Sequence, residues 1–284
     1  MIGLLLLVIS GCGLPGKKPE GWTITQYGNP DGNQLMCYTI EDKNKNLAII
    51  DGGYDVDADA LREIIKQHGN HVSAWVVTHP HPDHAGAFNA IMAEPGEIQV
   101  DVVYTVEVHH DRYQETAQEY DRFDVYETFL RLTENMENLK YVYEDDEFDL
   151  LGLHAKVLHT WDDNTDELDV NLCNNGSMMF VLSGEKEKML FCADVENEME
   201  GFIMERHMDE LNVDYVQTGH HGNWGPTLEF YDCMSPKGVF MDAPNVLIET
   251  TDAAYDAHIL KDYFEKKGAD VYSFSTAPNA ITIH

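Results

Sequence analysis

Four metal-ligand side chains fall within six residues, in the segment His79-Pro80-His81-Pro82-Asp83-His84. The apolar residues 72–77 come just before this segment and predict a buried strand. The two prolines favour an extended turn and cannot continue a helix. On extended backbone the first two histidines point the same way, and the aspartate and last histidine follow at the turn into the next helix. The segment therefore predicts a metal site at the end of a buried strand.

The donor types predict which ions bind. Imidazole and carboxylate groups suit zinc and related divalent ions. His79 and His81 are expected to serve one ion, and Asp83 and His84 a second. We therefore expect two divalent metal ions as the cofactors, with Zn²⁺ preferred and Mn²⁺ or Fe²⁺ as alternatives.

The order of elements predicts the fold. The first half of the chain reads as strands followed by helix–strand alternation, and the second half repeats that order. Helices are predicted at 57–68, 85–93, 113–138, 196–211 and around 253–267. Two mixed sheets with helices outside satisfy this pattern. We predict an α/β fold, a four-layer αββα sandwich of two mixed β-sheets with helices on both outer faces. We assign residues 22–284 to this one domain.

The charge of the chain restricts its partners. Asp and Glu number 51 against 18 Lys and Arg, which gives a net charge of −33. Such a surface repels phosphate backbones, so no long nucleic acid is expected. A small-molecule substrate remains the expected partner, and an anionic one can bind where metal ions supply positive charge.

The first residues resemble a bacterial lipoprotein signal peptide. An apolar run over 1–9 is too short to span a bilayer and leads into Ser10-Gly11-Cys12. Residues 1–21 are therefore expected to be signal peptide and tether, with a lipid anchor at Cys12 as the only membrane contact. This places the protein on the outer face of the bacterial cell envelope, or secreted. The alternative is a buried N-terminal strand in a cytoplasmic protein, because no Lys or Arg precedes Cys12.

The histidine segment resembles the HxHxDH motif of the metallo-β-lactamase superfamily. Later segments agree with that family in order: Ile49-Ile50-Asp51-Gly52-Gly53, Val157-Leu158-His159, Phe191-Cys192-Ala193-Asp194 and Thr218-Gly219-His220-His221-Gly222. Ala193 departs from the pattern, since glycine is usual there. The resemblance implies three further metal ligands. These are His159 at the first ion, Asp194 as a bridge between the ions, and His221 at the second.

Alternatives remain for three of these assignments. The role of His159 could belong to His154, or less well to His109 or His110. A second assignment concerns Asp194, which could instead cap the helix that starts near 196.

The third assignment concerns which histidine of the pair His220-His221 binds metal. His221 is preferred as the ligand and His220 as a substrate contact, but the reverse is open. Asp83 and His220 are assigned as the catalytic residues.

A narrower resemblance suggests the reaction. Asn174-Asn175-Gly176-Ser177, followed by the Ala193-Asp194 and His220-His221-Gly222 segments, is similar to one branch of the superfamily. That branch contains the hydrolase domains of competence DNA-uptake proteins and bacterial phosphorylcholine esterases, which implies phosphodiester cleavage. The implied mechanism uses a hydroxide shared by two metal ions, and His220 stabilises the developing oxyanion.

Other groups have supporting roles in this hypothesis. Asp51 would orient ligands, and Trp161 and Trp224 would line the pocket.

Three other functions stay open. One is hydrolysis of a lactone, thioester or β-lactam, because one fold supports many substrates. Another is redox chemistry, although di-iron members carry Glu where this chain has His81. The last is a non-catalytic, ligand-binding lipoprotein, which the complete set of candidate ligands disfavours.

Overall fold

The computed structural model describes residues 21–28, 32–274 and 277–284. Its strands in chain order are β1 (Trp22–Gln26), β2 (Cys37–Glu41), β3 (Leu47–Asp51), β4 (His71–Val72), β5 (Ala74–Val77), β6 (Gln99–Val100), β7 (Val103–Thr105), β8 (Leu139–Tyr141), β9 (Glu147–Leu150), β10 (Leu153–His159), β11 (Met179–Ser183), β12 (Lys188–Phe191), β13 (Tyr215–Gln217), β14 (Gly238–Pro244), β15 (Asp270–Phe274) and β16 (Asn279–Ile283).

The α-helices are α1 (Ala58–Gln67), α2 (Pro82–Ala93), α3 (His110–Thr116), α4 (Phe123–Thr133), α5 (Asp163–Asp166), α6 (Leu172–Asn175), α7 (Asn197–His207), α8 (Leu228–Asp232), α9 (Asn245–Ile248) and α10 (Ala257–Lys267). The helices predicted at 57–68 and around 253–267 correspond to α1 and α10. No helix in the described ranges is long and apolar enough to cross a membrane. The predicted signal peptide and Cys12 lie outside the described residues.

Two seven-stranded sheets form the centre of the molecule. The first has the strand order β16-β1-β2-β3-β5-β7-β8, and the second has β15-β14-β13-β12-β11-β10-β9. In the first sheet β16, β1, β2 and β3 pair antiparallel, whereas β3, β5, β7 and β8 pair parallel. The second sheet divides in the same way at β12. Both sheets are therefore mixed, as predicted.

The sheets pack face to face through a shared apolar core. Tyr38 in the first sheet contacts Phe191 and Phe240 in the second, with ring centroids 5.3 and 6.1 Å apart. Residues of β3 and β5 are buried on both faces, because a helix layer covers the side opposite this core. Their continuous apolar runs follow from that double burial.

Helices cover the outer face of each sheet. Apolar residues of α1, α2 and α4 pack on the first sheet, and those of α7, α8 and α10 pack on the second. In α1, Leu61 and Ile65 lie one turn apart and are both buried. The result is the predicted four-layer αββα sandwich.

The structure corrects the single helix predicted over 113–138. Two helices, α3 and α4, occupy this region, and Arg122 between them has a left-handed backbone with φ 48°. The Asp121 carboxylate accepts a hydrogen bond from the backbone N–H of Gln118 at 2.6 Å. This local turn replaces helix hydrogen bonds, which helical periodicity alone does not reveal.

A close backbone contact holds α2 in place. A Cβ atom on Gly86 would lie 2.6 Å from the backbone nitrogen of Asp55, closer than packed atoms approach. Only glycine lets α2 lie this near the segment that follows β3. The first turn of α2 is thereby fixed at the carboxyl ends of β3 and β5, where the histidine segment lies.

Candidate metal centre

The histidine segment leaves the end of β5 and enters α2. Pro82 occupies the first position of α2, where a missing backbone N–H costs nothing. His79 and His84 are fully buried, and His81 and Asp83 are at most 9% exposed. Four polar side chains are thus held together away from solvent, which requires hydrogen-bond or metal partners.

The fold brings these side chains into two groups of three with Asp194 and His221. One group is His79, His81 and Asp194, and the other is Asp83, His84 and His221; within each, the potential ligand atoms lie within 4.8 Å of one another. All six residues are buried. These groups fit the dinuclear metal site typical of the fold, with nitrogen and oxygen donors that suit zinc and related ions.

Asp194 lies between the two groups. Its Oδ2 atom is 3.2 Å from His84 Nε2, 3.3 Å from His221 Nε2 and 3.9 Å from His79 Nε2. The residue follows β12 and precedes the N-cap of α7, which is Glu196. The helix-cap alternative for Asp194 is therefore not what the structure shows, and its position is the one that a bridging carboxylate needs.

Several ring nitrogens at the centre have no hydrogen-bond partner. Among the described residues, the buried atoms without one include His79 Nε2, His84 Nε2, His221 Nε2 and Asp194 Oδ1. Buried polar atoms are nearly always paired, so this concentration needs an explanation. Metal ions would satisfy all four atoms at once.

The charges at the centre depend on one another. Burial lowers the pKa of His84, but Asp194 and Asp51 outweigh burial and hold that pKa well above its usual value. In the opposite direction, burial raises the pKa of Asp194, but His221 and His84 hold it well below the usual value. The carboxylates and imidazoles thus stabilise each other's charged forms. A divalent cation would take over the role of neutralising the carboxylates, because metal ligands must be deprotonated.

Two further carboxylates hold the histidines by their other ring nitrogens. Asp51 Oδ2 lies 2.8 Å from His84 Nδ1, and Asp51 also accepts hydrogen bonds from the backbone N–H and hydroxyl of Thr78. Asp121 Oδ1 lies 3.1 Å from His81 Nε2. Such contacts fix the orientation of metal-binding histidines. The family resemblance indicated Asp51, whereas Asp121 was missed because it lies 40 residues after His81 and carries no motif.

The structure does not bring His159 to either group. His159 Nε2 lies 2.6 Å from the backbone oxygen of Asn175, and the pairing of β10 with β11 shifts register between Val157 and His159. The ring is engaged there instead of at the centre. His154 and His109, the proposed substitutes, pair with Glu147 and Asp166 respectively.

His110, the remaining substitute, lies against Asp111 on the surface. None of the four histidines weighed for this role therefore joins the first group.

The loop after β13 carries its two histidines in strained backbone conformations. His220 and His221 have φ values of 45° and 58°, and Ala193 beside them has a φ of 47°. Left-handed backbone is uncommon for residues with a Cβ atom and is concentrated at functional sites. The structure places His221 in the second ligand group. His220 points elsewhere, with Nδ1 3.0 Å from Glu196 Oε1.

A cavity of about 540 Å³ opens onto the centre. Asp83, Asp194 and His220 line it together with the aromatic residues Tyr54, Tyr120 and Trp224. Trp224 lines this cavity, where the sequence hypothesis put it, and is 45% exposed. Trp161, which the same hypothesis put at the pocket, does not line the cavity. Trp161 is buried and donates its ring N–H to Asp166.

The fold and the two ligand groups together define a candidate dinuclear metal centre, and comparison with known families gives the class of the protein. A family model described as the metallo-beta-lactamase superfamily matches residues 30–238. The chain therefore belongs to the metallo-β-lactamase superfamily. No curated protein matches the sequence.

Solved structures share the fold at low sequence identity. CmlA, a diiron β-hydroxylase from Streptomyces venezuelae, is 13% identical, with a TM-score of 0.59 over 93% of this chain and 55% of its own. The present chain thus spans about half the length of CmlA. The metallo-β-lactamase fold protein YhfI from Bacillus subtilis is 10% identical, with a TM-score of 0.56 over 93% of this chain and 99% of its own.

A third similar structure is a diphosphatase from the PhnP family. It is 12% identical, with a TM-score of 0.50 over 93% of this chain and 98% of its own. Identities this low show a common fold and leave the reaction of this chain to be argued from its own residues.

Proposed function

We propose that this protein is a dinuclear metal-dependent hydrolase that cleaves small phosphodiesters. The observation that carries the proposal is the pair of buried ligand groups that both contact Asp194, with ring nitrogen atoms that have no hydrogen-bond partner. Most members of the superfamily are hydrolases. This chain has a ligand group for each of two ions, which supports catalysis over a purely binding role.

The residues of the centre have distinct tasks in this proposal. His79, His81 and Asp194 would hold one ion, and Asp83, His84 and His221 the other. Divalent ions at such a centre supply Lewis acidity that activates water near neutral pH and offsets negative charge on the substrate.

The carboxylates that contact the ligand histidines from outside the two groups have a different task. Asp51 and Asp121 keep the ligand rings in place, and the buried position of the centre excludes bulk solvent.

The cavity supports a small substrate of low negative charge. Its volume of about 540 Å³ accommodates a small molecule rather than a polymer. Its lining, among the described residues, contains no Lys or Arg. The metal ions are then the main source of positive charge, and one phosphodiester anion matches them better than a polyphosphate does.

Sequence and structural likeness add support for phosphorus chemistry. The resemblance of the 174–177, 193–194 and 220–222 segments is to the branch associated with phosphodiester cleavage. The PhnP-family neighbour is described as a diphosphatase. We propose zinc as the ion, since four of the six ligand residues are histidines. Iron is the competing choice, because CmlA is described as a diiron enzyme.

A substrate panel tests the proposal. Zinc-loaded protein should hydrolyse bis(p-nitrophenyl) phosphate and choline-type phosphodiesters faster than lactones, thioesters or β-lactams. The substitution Asp83→Ala should lower kcat/KM more than about 100-fold, since even the outer partners of metal ligands are worth about 10- to 100-fold. The matched control Asp59→Ala, on the exposed side of α1, should retain activity.

Three results would contradict this function. Activity confined to lactones or β-lactams would assign the chain to another hydrolase type. Oxygen consumption by iron-loaded protein without hydrolysis would favour a redox enzyme. Absence of turnover with both metals across the whole panel would favour a binding protein.

A further inference from the structure

A tyrosine hydroxyl without a protein partner lies in the cavity that opens onto the metal centre. Tyr54 lines this cavity together with Asp83 and Asp194. Among the described residues, none forms a hydrogen bond with its hydroxyl group. A phenol O–H is a hydrogen-bond donor, so this group remains available to a molecule bound in the cavity.

Most of the other donors that line the cavity are already occupied. Four of them donate to protein acceptors: the Tyr120 hydroxyl to Asn171 at 2.8 Å, the Asn171 amide to Glu196 at 2.9 Å, the Asn174 amide to Glu196 at 3.0 Å, and the Trp224 ring N–H to the backbone oxygen of Ala254 at 3.0 Å. Apart from the histidines, the described lining residues whose side-chain donor has no protein acceptor are Gln34 and Tyr54.

The backbone that carries Tyr54 is held against helix α2. The oxygen of Gly53 accepts a hydrogen bond from the Ala87 backbone N–H at 2.9 Å, and the Tyr54 backbone N–H donates to Asp57 Oδ2 at 3.0 Å. A Cβ atom on Gly86 would lie only 2.9 Å from the Cα atom of Tyr54. Tyr54 is therefore fixed relative to α2, the helix that carries Asp83 and His84.

This rigidity distinguishes Tyr54 from Gln34. The Tyr54 ring is partly buried and packs against the apolar core between the first sheet and its helices. Two torsion angles place its ring, so little conformational entropy is lost when the hydroxyl binds a ligand. A glutamine side chain loses much more rotational freedom on binding. Tyr54 is thus the better prepared donor of the two.

The charges around Tyr54 suit contact with an anion held at the metal centre. Burial, followed by the nearby carboxylates of Asp83 and Asp194, holds the pKa of Tyr54 above its usual value. A phenol keeps its proton at neutral pH in any case, because its ordinary pKa is about 10. The hydroxyl is thus a neutral donor beside ligands whose charge divalent ions would offset.

We propose that Tyr54 is a further catalytic residue, whose hydroxyl donates a hydrogen bond to a non-bridging oxygen of the phosphodiester. This inference rests on the proposed function. In the hydrolysis, the oxygen of water bonds to phosphorus and the P–O bond to the released alcohol breaks. One water proton goes to that alcohol, and the other stays with the phosphate product. Tyr54 keeps its own proton, and its hydrogen bond strengthens as negative charge collects on the non-bridging oxygen.

The substitution Tyr54→Phe tests this role, because it removes one oxygen atom and keeps the ring that packs on the core. In the zinc-loaded protein it should lower kcat on bis(p-nitrophenyl) phosphate by about 100-fold. KM and zinc content should change little, since the hydrogen bond matters most in the transition state. The matched control is Tyr143→Phe, which removes a hydroxyl that contacts Glu107 on a residue 47% exposed, and it should keep the wild-type rate.

A binding measurement separates a catalytic contact from a structural one. Orthovanadate adopts the five-coordinate geometry of the transition state, whereas inorganic phosphate stays tetrahedral. Calorimetry on the zinc-loaded protein should show that Tyr54→Phe weakens orthovanadate binding by about 100-fold and leaves phosphate binding nearly unchanged. Equal losses for both anions, or a change in KM alone, would overturn the proposal.

The same measurement distinguishes this inference from the proposed function, since it requires no turnover. A wild type that cleaves no phosphodiester, but binds orthovanadate through Tyr54, would reject the proposed function and leave the hydroxyl as a donor to another oxyanion. Wild-type kcat and orthovanadate affinity in Tyr54→Phe would overturn the inference and leave the hydrolase in place. Absence of orthovanadate binding by the wild type would also overturn the inference.

Discussion

At the scale of single residues, each candidate ligand depends on a partner that holds it. Asp51 illustrates this dependence. Its carboxylate contacts His84 Nδ1 at 2.8 Å and accepts two hydrogen bonds from Thr78, and all three residues are fully buried. Its own φ is 55°, in the left-handed region. A residue here must tolerate that backbone and also present a carboxylate to the histidine.

The substitution Asp51→Asn separates those two requirements. Asparagine tolerates left-handed backbone, so the fold should survive. The loss of the carboxylate should weaken zinc binding by about 10- to 100-fold. Competition with a chelator of known affinity measures the change. Asp101→Asn is the matched control, because Asp101 contacts His71 at 2.9 Å on the surface. Equal zinc affinity in wild type and Asp51→Asn would refute the role assigned to Asp51.

At the residue scale, the sequence identified candidate ligands where they are adjacent or follow a strand end. Spacing alone indicated the four candidates in the segment 79–84, and motif order indicated Asp194 and His221; the structure places all six in the two ligand groups. His159 shows the limit, since a strand-end position does not determine where a ring points. Asp121 was missed because its partner His81 lies 40 residues away and meets it only through folding.

At the scale of elements, one buried network joins the two sheets beside the centre. Asp242 on β14 accepts hydrogen bonds from Tyr38 on β2 at 2.6 Å and from Gln26 on β1 at 2.7 Å. Asp242 Oδ2 is buried without a hydrogen-bond partner. Burial raises the pKa of Asp242 to about 6, although the hydrogen bonds from Tyr38 and Gln26 act to lower it. The stability that this network gives to the packing of the two sheets therefore depends on pH.

The sign of this effect gives a stability prediction. A carboxyl pKa raised in the folded state means that Asp242 contributes stability below pH 4, and this contribution is lost as pH rises through about 6. The shift corresponds to at most about 3 kcal/mol. Relative to Asp242→Asn, the metal-free wild type should therefore lose unfolding free energy as pH rises from 4 to 7. Urea unfolding of both proteins measures the difference.

A second variant checks the cause. Tyr38→Phe removes a hydrogen bond that favours the charged carboxylate, so the same loss of stability should extend to higher pH. A constant difference between wild type and Asp242→Asn across this pH range would show that Asp242 does not titrate in the folded protein.

Element prediction from the sequence was sound where apolar periodicity was strong. The strands before the histidine segment and the helices α1 and α10 followed from it. Periodicity did not reveal the break at Arg122, because a side-chain contact from Asp121 to the backbone of Gln118 ends the turn there. Likewise, the pairing order of the strands depends on contacts between distant segments, which local patterns do not encode.

At the scale of the whole molecule, the fold places carboxyl strand ends of both sheets at one edge. The histidine segment comes from the first sheet, and Asp194 and His221 come from the second. Each candidate ligand group combines residues that follow strands of both sheets, so neither group is complete without the packing of the two sheets. The alternation of strands and helices predicted this architecture, whereas the cavity and its aromatic rim became visible only in the folded chain.

The most direct test of the dinuclear centre is anomalous diffraction from crystals of zinc-reconstituted protein, recorded at the zinc edge. Two ions per chain are expected, one bound by His79 and His81, the other by Asp83, His84 and His221, with Asp194 touching both. Elemental analysis of the same sample should give about two zinc ions per chain. A single ion, or two ions that do not share Asp194, would contradict the account.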